Sequence, residues 1–519
     1  LLAGSLAIRI AFPLTHAAFV PSDSYVHLVW TKYLSMGVLY GGGVYPHGLH
    51  SILAVVEKLS PATNSETLRF AGPFLNTLGI FMVFAVALRA TRHAGASLVA
   101  AAVVGLLGTR PEVGLLDFRQ VGALPQELAA LLAIAGLYCA LEYVARPTRS
   151  RLWILGLTAF AVAATHPVGS MLLAVITICL ALAMWVKKRK LSSALRVAFA
   201  MGIGTVVGNL YIPLGLLLRG YMYQAVRKVN PVGNYQNANP IDVIPVTRNM
   251  LGPLALLGAI VGVAFAIRLI LRGRPHGAPA LMLSGIVLMC AGVQMTGDRI
   301  LDNWYALRWT ELVLTLMPMG IALGLAPLGA LWAKRALMLR AGASASVGLV
   351  LVALMVVALP PQIARPEAFA VEHESAAEAL TEIMSSSERL GYTVVGPPAW
   401  YSRVLGSGYH IQLTDFVDLH PSQAVDPSFL LPIPSKHVYV LTETQPFQVI
   451  GGGPGHRDVY LDPERRARIM GEADEWMQTY ARFHDGVTIV REDDKIRIWR
   501  VEQAADPEYA KAFKLVKNS

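Results

Sequence analysis

The sequence predicts an α-helical, polytopic membrane domain followed by a C-terminal α/β domain. Three observations carry that expectation. First, 54% of the 519 residues are hydrophobic and only 15% are charged, against about 25% charged in a soluble globular domain, and the mean hydropathy is +0.49. Second, the excess is uneven: residues 1–365 are a series of apolar runs, whereas 366–519 have ordinary soluble composition and the length of a single domain. Third, the basic residues sit in short connections between the runs. The net charge of +10 is therefore a positive-inside pattern, and no nucleic-acid partner is expected.

A bilayer core of about 30 Å needs roughly 20 apolar residues per helix. Eleven candidate spans meet or approach this: before Val20, then 68–90, 94–108, 124–144, 152–165, 167–186, 191–217, 251–271, 278–295, 310–332 and 343–359. The basic connections Arg89–Arg92, Arg146–Arg151, Lys187–Lys190, Arg268–Arg274 and Lys334–Arg340 fall on alternate loops and agree in side. They define the cytoplasmic face, so the expected location is the cytoplasmic membrane with the C-terminal domain outside. Leu1 lies within an apolar run, and further chain is expected upstream.

The C-terminal domain reads as helix 374–390, strands 392–395 and 437–441, helix 463–483 and a hairpin over 485–501 turning at Asp493-Asp494. Gly451-Gly-Gly-Pro-Gly455 lacks the Lys-Ser/Thr and the strand-to-helix context of a phosphate cradle and reads as an ordinary loop. Cys139, Cys179 and Cys290 all lie inside apolar runs and read as packing residues with neither disulfide nor metal spacing.

The segment 21–48, between the first run and the next, is the expected first external loop. Asp23 opens an aromatic, amphipathic stretch (Tyr25, Val26, Leu28, Val29, Trp30, Tyr33, Leu34) of a kind that lies along a membrane surface. His27 follows at i+4, on the same helix face as Asp23. Eleven acids occupy the first 365 residues, and on the expected topology only Glu142 faces the cytoplasm. Polar groups near membrane depth are costly and usually functional, so the one-sided set implies an acidic, wet cavity opening outward. Its members Asp117 and Glu112 share one external loop. Glu127 follows Pro125 in the first turn of a span, where a helix dipole also favours an acid. Arg308 sits near Asp302 and Glu311 at the outer mouth of another span; arginine binds phosphate bidentately, and Glu311 at i+3 offers it an ion pair instead. His166, in Thr165-His-Pro-Val-Gly169, occupies an outward turn. Asp23 itself reads as a helix cap as readily as a catalytic base.

Asp23-Ser-Tyr-Val-His27-Leu, Thr31-Lys-Tyr-Leu and Tyr45-Pro46 resemble the first external loop of GT-C glycosyltransferases, and most of all that of oligosaccharyltransferase catalytic subunits. The residue-level likeness covers about thirty residues; the layout of many spans and an external C-terminal domain extends it along the chain. The resemblance implies transfer of a sugar or oligosaccharide from a polyprenyl phosphate or diphosphate donor to an extracytoplasmic glycan, lipid or protein acceptor. It implies Asp23 and Glu127 as catalytic acids and ligands of a divalent metal (Mg or Mn), and Arg308, His166, His27 and Tyr45 as contacts to substrate and phosphate. Two features depart from the family: Pro125-Gln-Glu127 replaces a pair of acids, and the C-terminal domain lacks a tryptophan-rich signature. Other readings of the same residues are a non-catalytic membrane assembly subunit and a transporter or flippase of a lipid-linked substrate.

Overall fold

The computed structural model describes residues 1–19, 23–40, 45–107, 122, 124–188, 190–219, 251–295, 315–327, 350, 353, 370–433, 435–449, 453–456 and 458–504. In chain order the helices are α1 (Leu2–Thr15), α2 (Asp23–Ser35), α3 (Gly48–Leu59), α4 (Asn64–Thr91), α5 (Ala94–Ala102) running into a π-helical turn (Val103–Leu107), α6 (Pro125–Ala145), α7 (Arg149–Ala163), α8 (Pro167–Lys188), α9 (Leu191–Gly208) and α10 (Tyr211–Arg219). Helices Leu251–Leu271, Gly277–Met295 and Thr315–Pro327 follow. Among the described residues five helices are long and apolar enough to cross a membrane: Asn64–Thr91, Pro125–Ala145, Pro167–Lys188, Leu191–Leu217 and Pro253–Leu271. Of the candidate span 343–359 only residues 350 and 353 are described, and the outer mouth at 298–311 lies outside the described residues.

The chain divides into two compact units. The first is Leu1–Phe12, Tyr40–Leu53 and Thr67–Arg365; the second is Pro13–Leu39, Ala54–Glu66 and Pro366–Ser519. The segment carrying α2 thus groups with the C-terminal residues.

In the first unit a continuous apolar core runs from Ile80 through Ala133, Leu172 and Leu283 to Leu323. Helices α7 and α9 pack against each other with backbone close to backbone: a Cβ on Gly204 would lie 2.1 Å from Gly156 O and one on Gly208 2.5 Å from Phe160 O. Small residues at such crossings substitute for a hydrophobic drive that lipid does not supply. Arg9 of α1 is buried and donates to Gly105 O (2.8 Å) and Val104 O (3.2 Å) of the π turn. Arg89, at the end of α4, pairs with Glu142 near the end of α6, and Arg151 at the start of α7 joins them at 3.2 Å. Lys187, near the end of α8, donates to Ala145 O at 3.0 Å. These basic groups therefore share one end of the bundle, and the α7–α8 turn lies at the other, about 33 Å away along the 22-residue α8.

The second unit is built on a five-stranded sheet in the order β2-β1-β3-β5-β4, with β1 Tyr392–Gly396, β2 Tyr409–Gln412, β3 His437–Glu443, β4 Val487–Glu492 and β5 Ile496–Glu502. β1 is parallel to β2 and β3; β5 is antiparallel to β3 and β4. Side chains alternate across the sheet. Val395, Val438, Val440 and Val501 face the helix Pro463–Phe483, whereas Val394, Leu441, Ile496 and Ile498 face the helix Glu374–Ser386. With both faces covered, every residue of β1 is buried, and the hydroxyl of Thr393 bonds that of Ser435. Arg466 and Glu443 form a buried, two-point ion pair at 2.5 and 2.7 Å between the Pro463 helix and β3. The sequence did not reveal β2, the helix Pro398–Val404 or α3; each is short, and β2 is edge-located and only half buried, so none carries a long periodic signal.

Candidate functional site

The described residues among those expected from sequence fall into two groups, one in each unit. In the second unit Asp23 is the first residue of α2, solvent-exposed, where the positive end of the helix favours a carboxylate. His27, one turn on, is 7% exposed and packs edge-on to Trp30 with ring centroids 5.4 Å apart. The buried face of α2 is Ser24, Tyr25, His27, Leu28, Thr31 and Lys32, while Val26 is exposed. It is less apolar than the aromatic stripe expected from sequence, because what covers it is polar. The helix packs on Pro398–Val404, and a network holds the two together. Tyr25 Oη donates to Glu372 Oε1 at 2.5 Å, and Arg403 donates to the same oxygen through Nε (2.8 Å) and Nη2 (2.5 Å). Arg403 Nη2 also reaches Ala17 O at 2.9 Å. Burial opposes the charge on Arg403, but Glu372 and Tyr25 outweigh it and raise the pKa, keeping the guanidinium protonated. Lys32 donates to Arg403 O; burial, then the Arg403 charge, lowers its pKa to about 7, with Glu57 opposing.

In the first unit the loop before α3 meets the α7–α8 turn. Gly48 N donates to Ala164 O at 3.0 Å, and a Cβ on Gly48 would fall 2.4 Å from Thr165 Oγ1 and 3.0 Å from Ala164 O, so only glycine allows this approach. The contact brings Tyr45 to His166, with ring centroids 6.3 Å apart. Around them lie three residues that sequence reasoning passed over: Tyr40 stacks on His47 (5.1 Å), His47 packs on His50 (5.5 Å), and His50 on Tyr45 (5.9 Å). The spacing Pro46-His47-Gly48-Leu49-His50, two histidines at the mouth of a helix, was the available signal. Tyr40 holds a φ of 57°, a region that L residues other than glycine rarely adopt and that clusters at functional sites. His166 Nδ1 accepts from Val168 N at 3.2 Å, which leaves the ring proton on Nε2. Neither ring nitrogen of His47 has a hydrogen-bond partner among the described residues, and burial lowers its pKa to about 4. The group thus offers neutral N–H and O–H donors.

Glu127 is the third residue of α6, and its Oε2 accepts from Leu124 N at 3.1 Å. That is half of a capping box, leucine having no side-chain acceptor. Arg308, Asp117 and Glu112 lie outside the described residues. Among the described residues no group of three or more His, Cys, Asp or Glu side chains is arranged to hold a metal ion. Asp23 and Glu127 belong to different units, and Glu127 has already committed an oxygen to its helix end. The loop around Gly451 behaves as an ordinary turn where it is described: Gly455 N bonds Asp462 Oδ2 at 2.8 Å. Cys139, Cys179 and Cys290 are free thiols.

No protein-family model matches the sequence, and no curated protein sequence matches it significantly. Solved structures do resemble it. ArnT from Cupriavidus metallidurans bound to undecaprenyl phosphate superposes with a TM-score of 0.56 over 97% of this chain and 98% of that one, at 13% identity. ArnT from the same organism in its apo state gives 0.52 over 96% and 97%, at 12% identity. A tethered acceptor-peptide complex of the Archaeoglobus fulgidus oligosaccharyltransferase gives 0.49 over 91% of this chain and 70% of that one, at 12% identity. The chain shares the fold of ArnT, and five of its described helices are long and apolar enough to cross a membrane; the resemblance noted from segment 21–48 is borne out at the level of fold.

Proposed function

We propose that this chain is a membrane glycosyltransferase that moves a sugar or oligosaccharide from a polyprenyl phosphate or diphosphate to an extracytoplasmic acceptor. The observation that supports it most is the likeness, over nearly the whole chain, to a protein crystallised with undecaprenyl phosphate. In this reading residues 1–365 form about eleven spans in the cytoplasmic membrane, and 366–519 form an external α/β domain. The lipid tail lies among the spans, and the phosphate head meets Arg308, Tyr45, His166 and His27.

Asp23 is the proposed general base. The acceptor hydroxyl oxygen bonds to the anomeric carbon as the bond from that carbon to the phosphate oxygen breaks, and its electron pair leaves with the lipid phosphate. The acceptor proton passes to the Asp23 carboxylate. Arg308 and the neutral donors of Tyr45 and His166 stabilise the departing charge where water is scarce. Glu127 is the second acid, orienting the acceptor. A divalent metal, if the enzyme uses one, would supply Lewis-acid stabilisation of the leaving phosphate.

Asp23→Asn tests this directly. Membranes containing the variant, supplied with a labelled polyprenyl-phosphate sugar, are expected to transfer label at least about 100-fold more slowly than wild type. Transfer at the wild-type rate would remove Asp23 from the reaction and favour the non-catalytic subunit.

A further inference from the structure

The second unit contains a cavity of about 520 Å³ that the chemistry above does not use. It lies at the carboxyl ends of the parallel strands β1 and β2, where Gly396 pairs with Gln412 and the chain turns into Pro397-Pro398 on one side and Leu413–Phe416 on the other. Open α/β sheets bind their ligands in this crevice, and the volume is that of a small-molecule site. Its wall presents the Tyr401 ring, Phe416 and Pro398, with Gln412, His410 and Asp415 among them.

The polar groups are disposed for a ligand. The side chains of Gln412 and Asp415 are exposed and bond no protein group among the described residues. His410 and Tyr401 are oriented from behind: His410 Nε2 meets Pro397 O at 3.1 Å, and Tyr401 Oη meets Tyr33 Oη at 2.9 Å. Burial keeps His410 neutral, with its pKa lowered to about 4. Among the described residues no lysine or arginine lines the cavity, and Asp415 is the one acid that does. A phosphate would meet only that negative charge. A flat apolar wall beside an amide and a lone carboxylate instead matches the faces and hydroxyls of a sugar ring.

The geometry points to this cavity as a binding site for a neutral saccharide, held against Tyr401 with its hydroxyls on Gln412 and Asp415. The assignment of that saccharide as the acceptor rests on the glycosyltransferase reading; the binding itself does not. Tyr401 bonds Tyr33 on α2, the helix that begins at Asp23. Ten residues of helix place Tyr33 about 15 Å along the axis from Asp23. The site would therefore grip an acceptor glycan some way behind the hydroxyl being glycosylated, which makes the acceptor a chain of several sugars and not a single one.

The test is saturation-transfer NMR on the full chain in detergent, with no donor present, using maltotetraose, mannotetraose and arabinotetraose as probes. At least one is expected to give transfer that the doubly substituted Gln412→Ala/Asp415→Asn protein reduces fivefold or more. Both positions are exposed, so the variant should unfold at the wild-type temperature, and Asp23→Asn should bind as wild type does. No transfer to any probe, equal transfer in the double variant, or displacement of the saccharide by choline, which would mark an ammonium site, each overturns the proposal. Saccharide binding without sugar transfer would leave this site standing while removing the enzymatic reading.

Discussion

Replacing Arg403 with alanine should be among the most damaging single changes in the second unit. Arg403 and Glu372 are 3% and 1% exposed, and among the described residues every hydrogen bond to that carboxylate converges on Oε1, leaving Oε2 without a partner. The substitution removes two charge-assisted bonds to Glu372, the bond to Ala17 O, and the guanidinium packed 4.8 Å from the Phe19 ring. What remains is a buried acid held by the Tyr25 hydroxyl alone. Breaking a buried pair from one side costs about 3–5 kcal/mol, because the surviving charge has lost its compensation. For a unit of this size that corresponds to a fall in melting temperature of roughly 6–20 °C. Neutralising both partners at similar volume, Arg403→Met with Glu372→Gln, should recover most of the loss, since no bare charge is left. Thermal unfolding of the full chain in detergent, followed by tryptophan fluorescence, measures both, and proteolysis within 13–39 reports release of α2. A fall under 3 °C for Arg403→Ala, or a double variant no better than the single one, would refute the reasoning.

Two further expectations follow from the same geometry. Burial lowers the Lys32 pKa to about 7 in the folded chain, below the ordinary lysine value of 10.5, so the unfolded chain binds more protons between those values and stability contributed at this position rises with pH across that window. Relative to Lys32→Met, the wild type should gain stability from pH 7 toward 10.5, by at most about 5 kcal/mol; a difference independent of pH between 6.5 and 9.5 would contradict the burial argument. Gly48→Val should force the loop off the α7–α8 turn, at a cost of about 1–3 kcal/mol. It should depress sugar transfer while leaving saccharide binding at the β1–β2 cavity intact, and unchanged transfer would argue that the Tyr45–His166 approach is dispensable.

Composition and periodicity sufficed for much of the architecture, because both are set by solvent. A helix facing lipid must be long and apolar, so spans such as Pro167–Lys188 and Leu251–Leu271 stand out from sequence within a residue or two. The Pro463–Phe483 helix and the final hairpin were equally legible, being long or strictly alternating. The site was legible as single residues: Asp23 opens a helix, Pro125 starts another, and His166 marks a turn. Who neighbours whom was not. Buried Glu372, distant in sequence, meets Tyr25 and Arg403, and the same face of α2 buries His27 and Lys32, the latter bonded to Arg403 O. His47 and His50 look ordinary until Gly48 brings their loop against Ala164. The cavity beside β2 exists only because a four-residue strand pairs with β1, which no local pattern announces. Local sequence records what each segment exchanges with solvent; long-range contacts between polar groups depend on the closed chain, and only the tertiary structure decides them.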